Sequence, residues 1–299
     1  MPSVGILAAG DGWHVRALSG ALSRLGLESS RVDPTRLAAE IDSEGAPPGS
    51  LGTRGAAAAL DRFDALLVRL IPPGSLDQIV FRIDLLHLLA DAGLPIVNPP
   101  RCLERTIDKH WTTRLLAAAG IPTPRTFVAE RAEDALLAFA RLGDVVVKPL
   151  LGSGGRGIFR VSDQDHAWRA FRALEEQRAV LYVQEFVPHG GCDLRLFVAG
   201  GEVVAAMRRE ADGWKSNVAA GARVAPHRAT PGQEDLARRA TAAVGADYAG
   251  VDLLEAEDGR LLVVEVNGIP GWSALQETTS CDIAAVVAGR VRARLAGRS

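Results

Sequence analysis

The chain has 299 residues, of which 47% are hydrophobic and 23% charged, and a net charge of −2; this is the make-up of a soluble, well-cored protein of two or three domains. So neutral a balance excludes bulk attraction to nucleic acid or a membrane surface, and any anionic ligand must be held by a few placed cations and backbone amides. Three widely spaced cysteines, Cys102, Cys192 and Cys281, suit neither a disulfide framework nor a C-x-x-C metal site; with no signal-like leader and no 18-residue apolar run, they predict a cytoplasmic protein.

Taken in chain order, Val4–Ala9 reads as a buried strand, and Val15–Leu25 repeats apolar residues at helical spacing. The stretch 42–55, rich in Gly, Pro and Ser, reads as a surface loop. Asp64–Leu70 and Leu94–Asn98 are further strands, with a helix over Ile79–Ala90 between them. This alternation predicts a small parallel α/β unit over the first hundred residues. A helix is expected over Arg101–Gly120. The pattern then changes to a strand at Val145–Pro149, a glycine run at Gly152–Gly157, a helix at Asp165–Gln177 and a strand at Tyr182–Val187. Two hairpin signals follow, and the chain closes with a helix over Cys281–Leu295.

The most informative stretch is 249–267, AGVDLLEAEDGRLLVVEVN. Two β-rich runs flank Asp258-Gly259, the dipeptide favoured in two-residue hairpin loops. With those two residues as the loop, Asp252 lies directly opposite Glu265, and alternation puts Asn267 on the same face. Opposed, partly buried carboxylates repel unless a cation intervenes. Asp, Glu and an Asn amide offer hard oxygen ligands suited to magnesium. A solvated sheet face, or a pair neutralised by a nearby arginine, accounts for the same pattern.

Lys148 ends the strand DVVVK and precedes Gly152-Ser-Gly-Gly-Arg-Gly157. Four glycines in six residues, Gly154 and Gly155 among them, let backbone N–H groups turn toward an anion. The spacing is neither a Walker loop nor a Rossmann fingerprint. Lys109 stands out because the basic residues are overwhelmingly arginine, and a retained lysine offers a compact ammonium. The second hairpin, 193–208, has Gly200-Gly201 as its loop. That loop pairs Asp193 with Arg208 and places Arg195 on their face. The mixed-charge face suits a phosphate or carboxylate, or is only a cross-strand salt bridge.

In order, Asp108-Lys109, Val147-Lys148-Pro149 with its glycine loop, Val183-Gln184-Glu185-Phe186, Gly191-Cys-Asp-Leu-Arg195, Trp214-Lys-Ser-Asn217, Ala249-Gly-Val-Asp252, Val264-Glu-Val-Asn267 and Thr278-Thr279 resemble the ATP-grasp superfamily. Within it they resemble the RimK-like amino-acid ligases. The resemblance implies an α/β (α+β ATP-grasp) fold: an N-terminal α/β domain over 1–103, then subdomains over 104–187 and 188–299 that clamp ATP. It implies that Lys109 and Lys148 contact phosphates, that Gln184, Glu185 and Phe186 line the adenine pocket, and that Asp193 contacts the nucleotide. Lys215-Ser216-Asn217 is similar to the family's Arg-Ser-Asn segment near the phosphates, with Lys in place of Arg. Asp252, Glu265 and Asn267 match its ligands for two Mg²⁺ ions, or Mn²⁺ in their place. Arg195 and Arg208 would neutralise charge in the reaction, with Asn217 beside them.

The implied chemistry is ATP-dependent amide formation through an acyl-phosphate, with no covalent enzyme intermediate. Consistent with this, Cys192 and Cys281 lack a catalytic partner in the sequence and read as small core residues. The partners are an amino acid, L-glutamate in this branch, and a small-molecule or peptide carboxylate; such families also form homo-oligomers. Pro270-Gly271-Trp272 is similar to small-molecule glutamate ligases of the tetrahydromethanopterin type. The alternatives are a ligase of the lysine/arginine-biosynthesis type, a phosphotransferase that stops at the phosphorylated product, or a nucleotide-binding scaffold without turnover.

Overall fold

The computed structural model describes residues 1–39, 60–152, 154–216 and 221–297. The expected surface loop over 42–55 lies outside these residues. Among the described residues the strands form three sheets.

The first sheet unit comprises β1 (Ser3–Leu7), α1 (Trp13–Arg24), β2 (Glu28–Val32), β3 (Ala65–Val68), α2 (Leu76–Asp91) and β4 (Ile96–Val97). Its strands run in the order β2-β1-β3-β4, and each pairing is parallel. Helices cover both faces, so β1 and β3 read as continuous apolar runs. β2 (ESSRV) is an edge strand with mostly exposed side chains, which is why no apolar pattern announces it.

The helix expected over Arg101–Gly120 is two helices, α3 (Pro100–Ile107) and α4 (Lys109–Ala118). Asp108 leaves the helical region (φ −91°, ψ 108°) and its carboxylate accepts the Trp111 N–H at 3.0 Å. Aspartate competes well as a helix cap, and the break turns Lys109 into the first residue of a new helix.

The second sheet is antiparallel. Its elements are β5 (Thr126–Ala129), α5 (Ala132–Leu142), β6 (Val145–Lys148), β7 (Phe159–Val161), α6 (Gln164–Glu176) and β8 (Leu181–Glu185), with strand order β5-β8-β6-β7. One core of its own, built on Phe139, Val147, Phe171 and Val183, joins this sheet to α5 and α6.

The third sheet, also antiparallel, comprises β9 (Cys192–Ala199), β10 (Glu202–Glu210), β11 (Arg223–Pro226), β12 (Tyr248–Glu255) and β13 (Leu261–Asn267), in the order β11-β10-β9-β12-β13. α7 (Pro231–Val244) packs on one face through Leu236, Ala240 and Val244, against Leu196, Val251 and Val263. α8 (Ser273–Gln276) and α9 (Ile283–Ala296) follow. One core holds α9 and α1 together with the first sheet and with Phe197, Met207 and Tyr248 of the third. The two sheets thus share a core, and the second has its own. No described helix is long and apolar enough to cross a membrane.

Candidate active site

Both hairpins depart from simple pairing, and the departures decide what the third sheet presents. In β12–β13 the loop is longer than expected: Ala256 N–H donates to the Arg260 carbonyl at 2.8 Å, with Gly259 at φ +85°. Val264 then adds an unpaired residue to β13, and this bulge cancels the first shift. Asp252 therefore does face Glu265, and Asn267 faces Gly250 on the same side.

In β9–β10 one bulge, at Val204, stands uncancelled, and Asp193 pairs with Arg209. The expected Asp193–Arg208 pair is corrected accordingly. Because side chains alternate, a one-residue slip turns Arg208 to the other face, where it pairs with Glu210 at 2.6 Å. Arg209 takes its place. This residue had no signal of its own in the sequence, since two adjacent arginines differ only by the bulge.

The resulting face is charged and mostly buried. Arg209 grips Asp193 with two hydrogen bonds (2.5 and 2.6 Å) and reaches Asp252 at 3.2 Å. Arg195 makes a two-pronged bridge to Asp252 (2.5 and 2.6 Å), and Ser216 donates to Asp193 at 2.6 Å. Burial alone would raise the Asp252 carboxyl, but Arg195 and Arg209 outweigh it and hold the group below its ordinary range.

The second sheet supplies one lysine. Lys148, at the end of β6, donates to Gln184 Oε1 at 2.6 Å, and the Gln184 amide nitrogen donates to Thr126 and Tyr182 hydroxyls. Every polar atom of Gln184 is thus engaged in placing Lys148. Burial lowers the Lys148 pKa to about 8, against an upward pull from Glu265. Lys109 is lowered too, again chiefly by burial and opposed by Glu265 and Asp108. Lys109 donates to the Gly152 carbonyl at 2.7 Å and Lys215 to the Ile158 carbonyl at 2.6 Å, one at each end of the glycine loop. Lys109, Lys148 and Lys215 are all the lysines the chain has. Within the loop, Gly157 is at φ +71°, and an added Cβ would meet Pro149 at 2.9 Å.

A cleft lies between the second and third sheets, lined among others by Lys148, Gln184, Glu185, Phe186, Asp193, Lys215, Ser216, Asp252 and Glu265. A smaller recess under the glycine loop adds Lys109, Gly154, Gly155 and Arg156, and shares Lys148 and Glu265. The backbone N–H groups of Glu185 and Phe186 are bonded to the Arg125 and Asp144 carbonyls, and the Glu185 carboxylate pairs with Arg125 and Arg260. Neither of those two N–H groups is therefore available to read a base. Phe186 carries Arg160 over its ring at 3.5 Å and meets Trp214 edge-on. Tyr182 lines the recess without having been singled out, and Trp214, quoted in the Trp-Lys-Ser-Asn motif but given no role, lines the cleft. Asn217 lies outside the described residues.

The oxygen donors suit a hard divalent ion in kind. Asn267 Nδ2 donates to the Gly250 carbonyl at 3.5 Å. Glu265 faces Lys109 and Lys148. Asp252 is bridged by Arg195 and Arg209, which engage three of the roughly four acceptor sites of a carboxylate. No cluster of three or more His, Cys, Asp or Glu side chains suited to a metal occurs among the described residues, so an ion here would rely on ligand oxygens and water to complete its shell. Cys192 and Cys281, expected in the core, are only partly buried, and burial raises both thiols.

A cleft with a glycine loop and Lys148 on one sheet, Lys109 and Lys215 reaching the loop's two ends, and carboxylates on a facing sheet is the arrangement of a nucleotide-dependent enzyme of the ATP-grasp class. The profile of the RimK-like ATP-grasp domain matches residues 106–291. The chain is 32% identical to the tetrahydromethanopterin:alpha-L-glutamate ligase of Methanosarcina acetivorans, over 85% of this chain and 83% of that one. It is 34% identical to the alpha-aminoadipate–LysW ligase LysX of Saccharolobus solfataricus, over 62% and 70% respectively. The crystal structure of a RimK domain ATP-grasp protein from Sphaerobacter thermophilus superposes with a TM-score of 0.72 at 27% identity, covering 97% of this chain and 99% of that one. The chain belongs to the RimK-like ATP-grasp family, and it is a ligase.

Proposed function

We propose that the chain is an ATP-dependent carboxylate–amine ligase that adds L-glutamate to a small-molecule or peptide carboxylate through an acyl-phosphate. The observation that carries this reading is the gathering of all three lysines around a glycine loop, across a cleft from Glu265 and Asp252. The relationship to a tetrahydromethanopterin:alpha-L-glutamate ligase supports glutamate as the amine donor and a pterin-like cofactor as one acceptor class.

ATP would lie in the cleft with its base near Phe186 and its phosphates toward Lys148, Lys109 and the amides of Gly154 and Gly155. Glu265, Asn267 and Asp252 would hold Mg²⁺, which when bound neutralises phosphate charge and orients the γ-phosphoryl group. The acceptor carboxylate attacks the γ-phosphorus, ADP leaves, and an acyl-phosphate remains. The amine of glutamate then attacks the acyl carbon; an amide forms and inorganic phosphate leaves. Lys148, Lys109 and Arg195 stabilise the transferring group electrostatically, Arg209 takes the part expected of Arg208, and the glycine loop closes over the intermediate to exclude water. Segment 104–187 thus carries the lid and 188–299 the acidic face. A cytoplasmic setting matches the supply of ATP and free glutamate, and a homo-oligomer matches the family expectation.

The test is ADP release across a panel of amino acids and carboxylate acceptors, followed by product mass. Amino-acid-dependent ADP release with an amide product is expected; pyrophosphate as product would overturn the acyl-phosphate route. The relationship to LysX supports a second reading, in which the acceptor sits on a carrier protein; strict dependence on a protein acceptor would select it. Glu265→Gln is expected to lower turnover by at least the roughly 10–100-fold that loss of an outer-shell partner of a metal costs, and to weaken Mg²⁺-dependent nucleotide binding in calorimetry.

A further inference from the structure

The first sheet reverses its winding between β1 and β3, because β1 leads outward to β2 and β3 leads the other way to β4. In open parallel sheets, ligands bind beyond the carboxyl ends of the two strands at such a switch. Arg69 follows β3 directly, and the segment after β1 runs into α1.

Among the described residues, Arg69 is a cation bonded only to neutral groups. Its Nη1 donates to the Tyr248 hydroxyl at 3.2 Å, its Nη2 to the Pro270 carbonyl at 2.7 Å, and its guanidinium stacks 4.3 Å from the Trp272 ring. Among the described residues no carboxylate pairs with it, and its Nε and the Trp272 indole N–H are both buried without a hydrogen-bond partner. A partly buried guanidinium held this way is complementary to an incoming anion.

His14, in the first turn of α1, adds a neutral donor. Its Nε2 accepts the Trp272 backbone N–H at 3.0 Å, which places the ring proton on Nδ1. Burial, then Arg69, lowers its pKa to about 4, so the ring stays neutral near pH 7. Gly12 caps α1 without a side-chain hydrogen bond and no acidic residue lies in the first turn, so no side chain of the cap satisfies the first amides. The spot adjoins the reacting region: Tyr248, Gly250 and Asp252 share one face of β12, and Gly250 lies against both Pro270, whose carbonyl Arg69 holds, and Arg195.

We propose that Arg69, His14 and the start of α1 bind a non-reacting carboxylate of the substrate. This rests on the ligase reading and narrows it: one substrate carries a second carboxylate, which is fixed while another part of the molecule reacts. The guanidinium fork meets the two carboxylate oxygens, and the apolar ring of Trp272 excludes water beneath them.

The experiment compares wild type, Arg69→Gln, Arg69→Lys and His14→Asn. Melting temperatures are recorded with saturating ADP, with glutarate or with its neutral diamide. Glutarate is expected to raise the wild-type melting temperature and the diamide not to; the rise should vanish in Arg69→Gln and shrink in Arg69→Lys and His14→Asn. In turnover, Arg69→Gln should raise the KM of glutamate at least ten-fold with the KM of ATP unchanged. A glutarate rise that persists in Arg69→Gln, or none in wild type, overturns the proposal. So does an equal loss of kcat with all substrates and no change in any KM, the mark of a purely structural arginine. If Arg69→Gln does not fold, the His14→Asn comparison decides. A glutarate rise lost on substitution, without amino-acid-dependent ADP release for any acceptor, would keep this site and remove the glutamate-ligase reading.

Discussion

At the scale of single residues, Lys148 is the phosphate-facing group whose protonation its surroundings change most. Its pKa falls from 10.5 to about 8, chiefly through burial. Between those two values the unfolded chain binds more protons than the folded one, so this residue makes stability rise with pH through that window. Nucleotide affinity should run the other way: as pH climbs past about 8, the free protein loses the ammonium that meets the phosphates. Titrating ATP-analogue binding from pH 7 to 9.5 should show this fall, and Lys148→Arg should flatten it. The sign would be wrong if affinity rose. Asp108 acts more locally. Removing its cap in Asp108→Ala should cost about 1 kcal/mol and, by loosening the first turn of α4, weaken nucleotide binding through Lys109, with denaturant titration giving the first effect and calorimetry the second.

At the scale of elements, the two bulges set the chemistry. Arg208 sits on the α7-facing side with 43% of its side chain exposed, whereas Arg209 is 3% exposed and bridges two buried carboxylates. Arg208→Ala should therefore change stability by less than ~1 kcal/mol and leave turnover near wild type. Arg209→Ala should cost roughly 3–5 kcal/mol, because Asp193 and Asp252 lose a buried counter-charge together. Chemical denaturation of both variants measures the contrast, and equal losses would refute the observed register. The glycine loop depends equally on backbone geometry. A side chain at Gly157 requires φ near +71° and collides with Pro149, so Gly157→Val should raise the KM of ATP while leaving β6 and β7 folded.

At the scale of the whole molecule, the first and third sheets share one core through α1 and α9, while the second has its own. Phe197 stacks on Tyr248 and meets Trp272 edge-on inside the shared core. Phe197→Ala should cost about 3–5 kcal/mol. Hydrogen exchange should report lower protection over 126–185 than over β1, β3 and β12, and MgATP should narrow that gap by bridging the cleft. Uniform protection without nucleotide would contradict this division of cores.

Much of this was legible in the chain alone. Buried parallel strands announce themselves as apolar runs, Asp258-Gly259 marks a hairpin, and lysines in an arginine-rich chain mark places where a compact charge is kept. The Asp252–Glu265 pairing was correct because two one-residue departures cancel, which local turn preference cannot foresee. The choice between Arg208 and Arg209, the break of a helix at Asp108 and the isolation of Arg69 among neutral partners were left to tertiary structure. The reason is physical: side-chain direction reverses with each residue of a strand, so one bulge reassigns every charge beyond it. Sequence determined which charges exist; the packing of the sheets decided which of them meet.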